Sequence, residues 1–246
     1  MMTFKTITTL QIKTKQKFSE NLNKILDFVN AANENTIIVT PELALSGFCY
    51  QKMEKADKFS SEATEELLKA SYGKTIITTM IENKNKKFYN NLKVFYDGAL
   101  IHKQSKHHLF SLGKEHLHFT PGDVNEIIPF RLGEINCGAL TCFELRFIDL
   151  WKRLQGVDII FIPVQWGKAR QDHLETLAKA LAISNECFVV ISASSNLQMA
   201  NASSIITPYG KVYKNASAES ITQEIDISEV AKMRKYIDIG LTKCTK

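Results

Sequence analysis

Thr36-Ile37-Ile38-Val39-Thr40-Pro41-Glu42 is the stretch on which the fold class turns. Its first five residues are all β-branched and favour the pleated conformation, while Pro41 has no amide hydrogen to extend a ladder. Working backwards, Leu22, Ile25, Leu26 and Val29 recur at i, i+3, i+4 and i+7, a helical stripe that Ser19 is placed to cap. Working forwards, the pattern predicts a helix over Glu62–Ser71, a strand over Thr75–Ile81, and strands Leu92–Tyr96 and Ala99–His102 joined by a turn at Asp97-Gly98. The alternation continues through a strand Ile135–Thr141, a helix Leu145–Leu154, a strand Ile159–Pro163 and a helical face in Arg170–Glu186. Cys187–Ala193 is a continuous apolar run of the kind buried on both faces of a sheet, and Ser203–Thr207 and Lys211–Tyr213 flank a turn at Pro208-Tyr209-Gly210. Gln104–Gly122 shows neither period and is expected to be a long ordered loop, a feature often tied to function in compact domains. No repeat, low-complexity tract or linker interrupts this order, which implies one layered α/β domain over residues 1–246.

Composition narrows the function classes. The chain has 246 residues, is 44% hydrophobic and carries a formal net charge of +5, enough apolar material for a sizeable core. Its lysines are scattered, and no run pairs them with regularly spaced aromatics, so the surface looks solvated and no nucleic-acid partner is expected. Nothing approaches the length of a membrane span; the apolar stretch Val157–Val164 already contains Asp158 and Pro163. The start, Met1 to Leu10, lacks a signal-peptide layout. Five cysteines, Cys49, Cys137, Cys142, Cys187 and Cys244, form no C-x-x-C pair and no even framework, which points to reduced thiols in a cytoplasm.

Three polar residues stand out from this background. Glu42 directly follows the β-branched run, and a carboxylate at the exit of a buried strand has the partly desolvated setting of a general base; read blandly, it is a turn or cap residue. Cys142 follows Ile135–Thr141 and immediately precedes the helix expected to begin near Phe143. A thiol there would be held as thiolate by the unpaired amides, which also form part of an oxyanion hole. Cys137 and Cys187 fit instead the commoner fate of cysteine, an inert buried thiol. Lys106 opens the long loop in Lys106-His107-His108-Leu109-Phe110; near a cysteine and a glutamate it would steady a developing oxyanion, whereas singly it is one surface lysine among many. His107, His108, His116 and His118 lie within twelve positions. They come without an H-E-x-x-H pattern or matching cysteines and carboxylates at ligand spacing, so hydrogen-bonding architecture is expected and no metal. Nor does the local signature of a papain-type Cys–His pair surround Cys142.

Taken together, Pro41-Glu42-Leu43-Ala44-Leu45-Ser46-Gly47-Phe48, Lys106-His107-His108-Leu109-Phe110 and Cys142-Phe143-Glu144-Leu145-Arg146-Phe147 resemble, in order and rough spacing, the three motifs of the nitrilase superfamily, the carbon–nitrogen hydrolases. The resemblance runs from about Ile7 to Ile227. It implies a four-layer αββα sandwich that dimerises across an outer helical face, with Glu42 as general base, Lys106 as oxyanion lysine and Cys142 as nucleophile. By the same resemblance Glu115, in Gly113-Lys114-Glu115-His116, is a second glutamate that positions Lys106 or the substrate. Trp166 falls where the family keeps an aromatic near the site, and Phe110–Gly122 is similar to the loop of the ω-amidase branch. The chain departs from the pattern with Glu144 for Asp, Ile148 for Pro and Gln165 for Asn. Ala180-Leu181-Ala182-Ile183-Ser184-Asn185 lacks the usual charges, and the glycines expected around Asn196–Ala202 are absent.

The implied activity is hydrolysis of a non-peptide amide bond in a small molecule through a Cys142 thioester, without a cofactor. An ω-amide of a dicarboxylic or oxo-acid is the leading substrate class. Phe143 would supply a backbone N–H to the oxyanion, Trp166 a pocket wall, and Arg146 or Lys168 a partner for the distal carboxylate. The alternatives are an N-carbamoyl amine or amino-acid amidohydrolase using the same groups, and a non-catalytic member that only binds a small molecule.

Overall fold

A computed structural model describes residues 4–241, so Cys244 lies outside the described residues. Twelve strands form two six-stranded sheets. In the first sheet β1 (Phe4–Leu10), β2 (Ile37–Val39), β3 (Thr75–Lys84), β4 (Lys87–Tyr96) and β5 (Ala99–Ser105) lie side by side, with β12 (Ser220–Asp226) on the outer edge of β1. The second orders β11 (Val212–Lys214), β10 (Ser204–Ile206), β9 (Phe188–Ala193), β8 (Ile159–Val164), β7 (Ile135–Ala139) and β6 (Phe130–Leu132). Strands β1, β2 and β3 run parallel, as do β7, β8 and β9.

The strand alternation explains the layering. Ile37 and Val39 face the same interior as Ile159, Phe161, Phe188 and Val190, so the two sheets pack face to face. Ile38 and Ile76, half a pleat away, pack with Leu22, Ile25 and Val29 of α1 (Phe18–Ala31) and Ala63 and Leu67 of α2 (Met53–Ala70). On the opposite outer face Ile160, Ile162, Val189 and Ile191 pack with α3 (Ile148–Arg153) and α4 (Gln171–Ser184). The result is the four-layer αββα sandwich that the motifs led us to expect, with α5 (Ser228–Tyr236) burying Val230 against the inter-sheet core. Hydroxyls tie the two sheets at their centre. Thr9 donates to the Ile191 carbonyl at 2.7 Å, and the Ser192 hydroxyl lies 2.8 Å and 3.0 Å from the carbonyls of Leu10 and Val39. Among the described residues no helix is long and apolar enough to cross a membrane.

Several boundaries differ from the sequence reading. The first helix begins at Phe18, so Ser19 lies inside it, and its flanking residue Lys17 makes no side-chain cap. The second begins nine residues before Glu62, because its buried stripe passes through Met53, Ala56 and Ser60, which carry little hydrophobic signal. Strands β3 and β4 extend into a hairpin closed by Asn85 and Lys86, both at positive φ, the geometry of a type I′ turn. The residues around that turn are solvent-facing and charged, which hid the strand ends. The expected helix Leu145–Leu154 shrinks to α3, because Cys142–Arg146 is a 3₁₀ turn.

Phe161 tests the layering. Phe161→Ala removes a fully buried ring from between the sheets and is expected to cost about 3–5 kcal/mol, read as a lower denaturant midpoint at constant slope. An unchanged midpoint would place Phe161 outside the shared core.

Candidate active site

Both sheets end their parallel strands at the same rim, where layered α/β proteins collect functional groups. The first sheet contributes Glu42, three residues beyond β2, and Lys106, the residue after β5. The second contributes Cys142, beyond β7, and the Gln165-Trp166 pair beyond β8. A Gln165 side-chain amide reaches across the layers to the Glu42 carbonyl at 2.7 Å, and the Gln104 amide of β5 reaches the Ala139 carbonyl of β7 at 3.1 Å.

At the centre lies a fully buried ammonium. Lys106 Nζ donates to Glu42 Oε1 at 2.7 Å and contacts the Glu115 carboxylate at 2.9 Å, and all three side chains are essentially fully buried. Burial on its own would lower the pKa of this lysine, but the charges of Glu42 and Glu115 outweigh it and raise it well above its ordinary value, so Lys106 stays protonated. Glu42 Oε1 also accepts from Asn90 Nδ2 at 2.9 Å, leaving Oε2 buried without a protein partner. That free oxygen is an acceptor held ready. Glu115 follows Lys114, which sits in the left-handed region, and its carboxylate accepts from the Phe110 amide at 3.1 Å. Burial raises the Glu115 carboxyl, the pull of Lys106 opposes this, and the neighbouring Glu42 charge adds to the rise.

The cysteine does not sit as the sequence reading expected. Cys142 opens a five-residue 3₁₀ turn instead of a helix, and its own φ is +53°, a left-handed conformation costly for a residue with a β-carbon. No α-helix terminus stabilises a thiolate here. Burial pushes the thiol well above its usual range, the Glu42 charge pushes it further, and Lys106 with the Gln165 backbone amide only partly offsets them. The resting group is a neutral thiol within electrostatic reach of the Glu42 carboxylate. Cys137 and Cys187 are fully buried free thiols, raised by burial in the same way.

Cys142 forms the floor of a narrow cavity walled by Phe110, Phe143, Arg146, Gln165, Trp166 and Arg170. The three residues proposed from sequence for this role, Phe143, Arg146 and Trp166, are therefore together. Arg146 lies over the Trp166 ring at 4.6 Å and donates to His173 Nδ1 at 3.0 Å. Lys168 is exposed and does not line the cavity; Arg170, which the sequence reading passed over, does, with its guanidinium 5.2 Å from the Phe110 ring. Neither arginine pairs with a carboxylate among the described residues.

Three histidines of the cluster make local contacts. His107 Nδ1 meets the Gly122 carbonyl at 2.7 Å, His108 stacks on Phe147 at 3.5 Å, and His118 stacks on Tyr50 at 4.0 Å. Among the described residues no group of three or more His, Cys, Asp or Glu side chains is arranged to hold a metal ion. Tyr50 in turn donates to the Gly113 carbonyl at 2.9 Å, and burial together with the Glu115 and Glu42 charges pushes its phenol to about 12.

Comparisons with known proteins agree with this geometry. The family model for carbon–nitrogen hydrolases matches residues 6–235. The chain is 30% identical over 238 residues to the 2-oxoglutaramate amidase of Bacillus subtilis (strain 168), covering 91% of each protein. It is 29% identical over 212 residues to the Omega-amidase YafV of Escherichia coli (strain K12), covering 81% of this chain and 80% of that one. Among solved structures, Saccharomyces cerevisiae Nit3, a member of branch 10 of the nitrilase superfamily, superposes with a TM-score of 0.84 at 21% identity, over 96% of this chain and 95% of that one. A CN-hydrolase superfamily protein from Xanthomonas campestris superposes at 0.85, with the same identity and 96% of each chain. Sandwich, rim and motifs have one common source: the chain belongs to the carbon–nitrogen hydrolase family.

Proposed function

We propose that this protein hydrolyses the terminal amide of a small molecule that also carries a carboxylate, an ω-amide of a dicarboxylic or oxo-acid, through a thioester on Cys142. The observation that carries the reading is a cavity lined by the Cys142 thiol and by two guanidiniums that have no carboxylate partner among the described residues, with the buried Glu42–Lys106 pair near enough to act on that thiol. A substrate spanning that cavity places its amide carbon at sulfur and its anionic end at arginine. The relatives named 2-oxoglutaramate amidase and omega-amidase support the same class.

The reaction runs in two halves. Glu42 takes the Cys142 proton as sulfur attacks the amide carbon, and the carbonyl oxygen becomes an oxyanion stabilised by Lys106 and the Phe143 backbone N–H. Glu42 passes the proton to nitrogen, the carbon–nitrogen bond breaks, ammonia leaves, and a thioester remains. Water then loses a proton to Glu42, adds to the thioester carbon through a second oxyanion, and expels sulfur, which recovers its proton. Glu115 holds the Lys106 ammonium in place throughout.

Three experiments test the proposal. Cys142→Ala is expected to abolish ammonia release from small ω-amides with little change in melting temperature, while the wild-type protein shows a transient acyl mass on Cys142 during turnover. More than a few per cent of residual activity would remove Cys142 as nucleophile. Lys106→Met should lower turnover at least about 10²-fold. It should also displace the pH profile of Cys142 alkylation by iodoacetamide further to the alkaline side, because the cation that partly offset burial is gone. An unshifted profile with full activity would contradict the oxyanion role. Arg170→Gln should raise KM for a carboxylate-bearing ω-amide about tenfold or more, as expected for losing a charge-assisted contact, while leaving hydrolysis of a neutral amide unaffected. Equal effects on both substrates would sink the carboxylate assignment.

A further inference from the structure

Glu144 stands where the family motif usually has Asp, and the reaction above makes no use of it. The side chain is fully buried, with both oxygens taken by backbone donors: Oε1 by the His107 amide and Oε2 by the Thr141 amide, each at 2.6 Å. His107 follows Lys106 and Thr141 precedes Cys142. The first of these segments leaves the first sheet and the second leaves the other, so one carboxylate spans the seam between the layers beside the two reacting groups.

We propose that Glu144 is a positioning residue that sets the placement of Lys106 relative to Cys142, and that it does so only as the carboxylate. The inference rests on the amide-hydrolysis reading above for its kinetic part and on geometry alone for the rest. Both partners of Glu144 are N–H donors, so both oxygens must accept. Protonation turns one oxygen into a donor facing a donor, and that bond is lost. The Lys106 backbone has other anchors, its N–H to the Asn90 carbonyl at 2.8 Å and its carbonyl from the Gly122 amide at 2.9 Å. Those anchors tie it to its own sheet and loop. Beside Glu144, the Gln104 amide to Ala139 also links this strand exit to the cysteine strand.

The clamp is poised to titrate. Burial raises the Glu144 carboxyl to about 7 against the opposing pull of the Thr141 and His107 amides and of the Lys106 charge. Of the groups around it, Lys106 is the cation that favours the carboxylate. His107, His108 and Cys142 adjoin it along the two segments, and Glu42 and Glu115 bind the same ammonium. The sign follows. Because the folded-state value lies above the ordinary 4.5, the folded protein takes up this proton between about pH 7 and 4.5, and global stability rises on its account as pH falls through that window. Activity moves the opposite way, since the proton that stabilises the fold opens the clamp.

The test compares wild type, Glu144→Gln and Glu144→Asp by hydrogen exchange and by kinetics on succinamic acid. In wild type, protection of the His107 and Thr141 amides, corrected for intrinsic rate, is expected to fall between pH 8 and 6 while Phe161 stays protected. Glu144→Gln should lose protection in residues 105–109 and 140–144 at all pH values. Its kcat should drop about tenfold or more with KM within about twofold, and the acid limb of its kcat profile near pH 7 should disappear. Glu144→Asp keeps the charge and should retain that limb with an intermediate kcat. Wild-type protection that ignores pH overturns the proposal whether or not either variant folds, as does a Gln variant with unaltered exchange, kcat and pH profile. Absence of succinamate turnover in the wild type would count against the substrate class, leaving the exchange experiment to decide the clamp.

Discussion

Keeping an ammonium dry is the demand around which this molecule is organised. Removing Lys106 from water is tolerable only because two carboxylates meet it there, and deleting one partner of such a buried pair typically costs about 3–5 kcal/mol. One of those carboxylates comes from the long loop, so the loop must be ordered for the charge to be balanced. Its stacking of His118 on Tyr50, the Tyr50–Gly113 bond and the Phe110–Glu115 bond follow from that need. The trio also carries more negative than positive charge, two carboxylates to one ammonium. A thiolate beside it would deepen the imbalance, and this adds to burial, the larger cause, in raising the Cys142 thiol despite a neighbouring lysine. In the proposed reaction, passing the sulfur proton to Glu42 leaves the total charge of the cluster unchanged, which makes a neutral resting thiol compatible with nucleophilic attack.

The sandwich supplies the geometry for this chemistry by dividing it. Glu42 and Lys106 leave one sheet, Cys142 and most of the cavity wall the other, and inter-sheet packing sets their separation. Small polar bonds across the seam refine what bulk packing begins, with Thr9 and Ser192 at the centre and Gln104, Gln165 and Glu144 at the rim. Core positions on the inner strands therefore bear on the geometry of the site although they do not line its cavity.

Much of this was legible in the residues because chemistry and strand pattern coincide there. The run Ile37–Val39 and its Pro41 stop place Glu42 at a strand exit, and the order of the three motifs carries the family and its four layers. What escaped did so for physical reasons. The Asn85–Lys86 hairpin leaves the core before it turns, so no apolar alternation marks it. The start of α2 buries Ala and Ser, whose small side chains suffice against a nearby strand but look neutral in sequence. The thiolate expectation failed because Phe143–Arg146 coil too tightly and too briefly to present an α-helix terminus, a matter of backbone angle that side-chain types do not encode. Arg170 was overlooked in favour of Lys168 because direction along a 3₁₀ turn, not charge, decides which residue faces the cavity.

The left-handed backbone at Cys142 carries a cost of its own. A residue with a β-carbon held there costs on the order of 1–3 kcal/mol, and glycine is the residue that escapes the penalty. The substitution most favoured by the backbone at this position is thus one that deletes the sulfur. A glycine there would relieve the strain and leave a well-formed sandwich without its sulfur, so at this one position the demands of the backbone and the presence of a thiol pull in opposite directions.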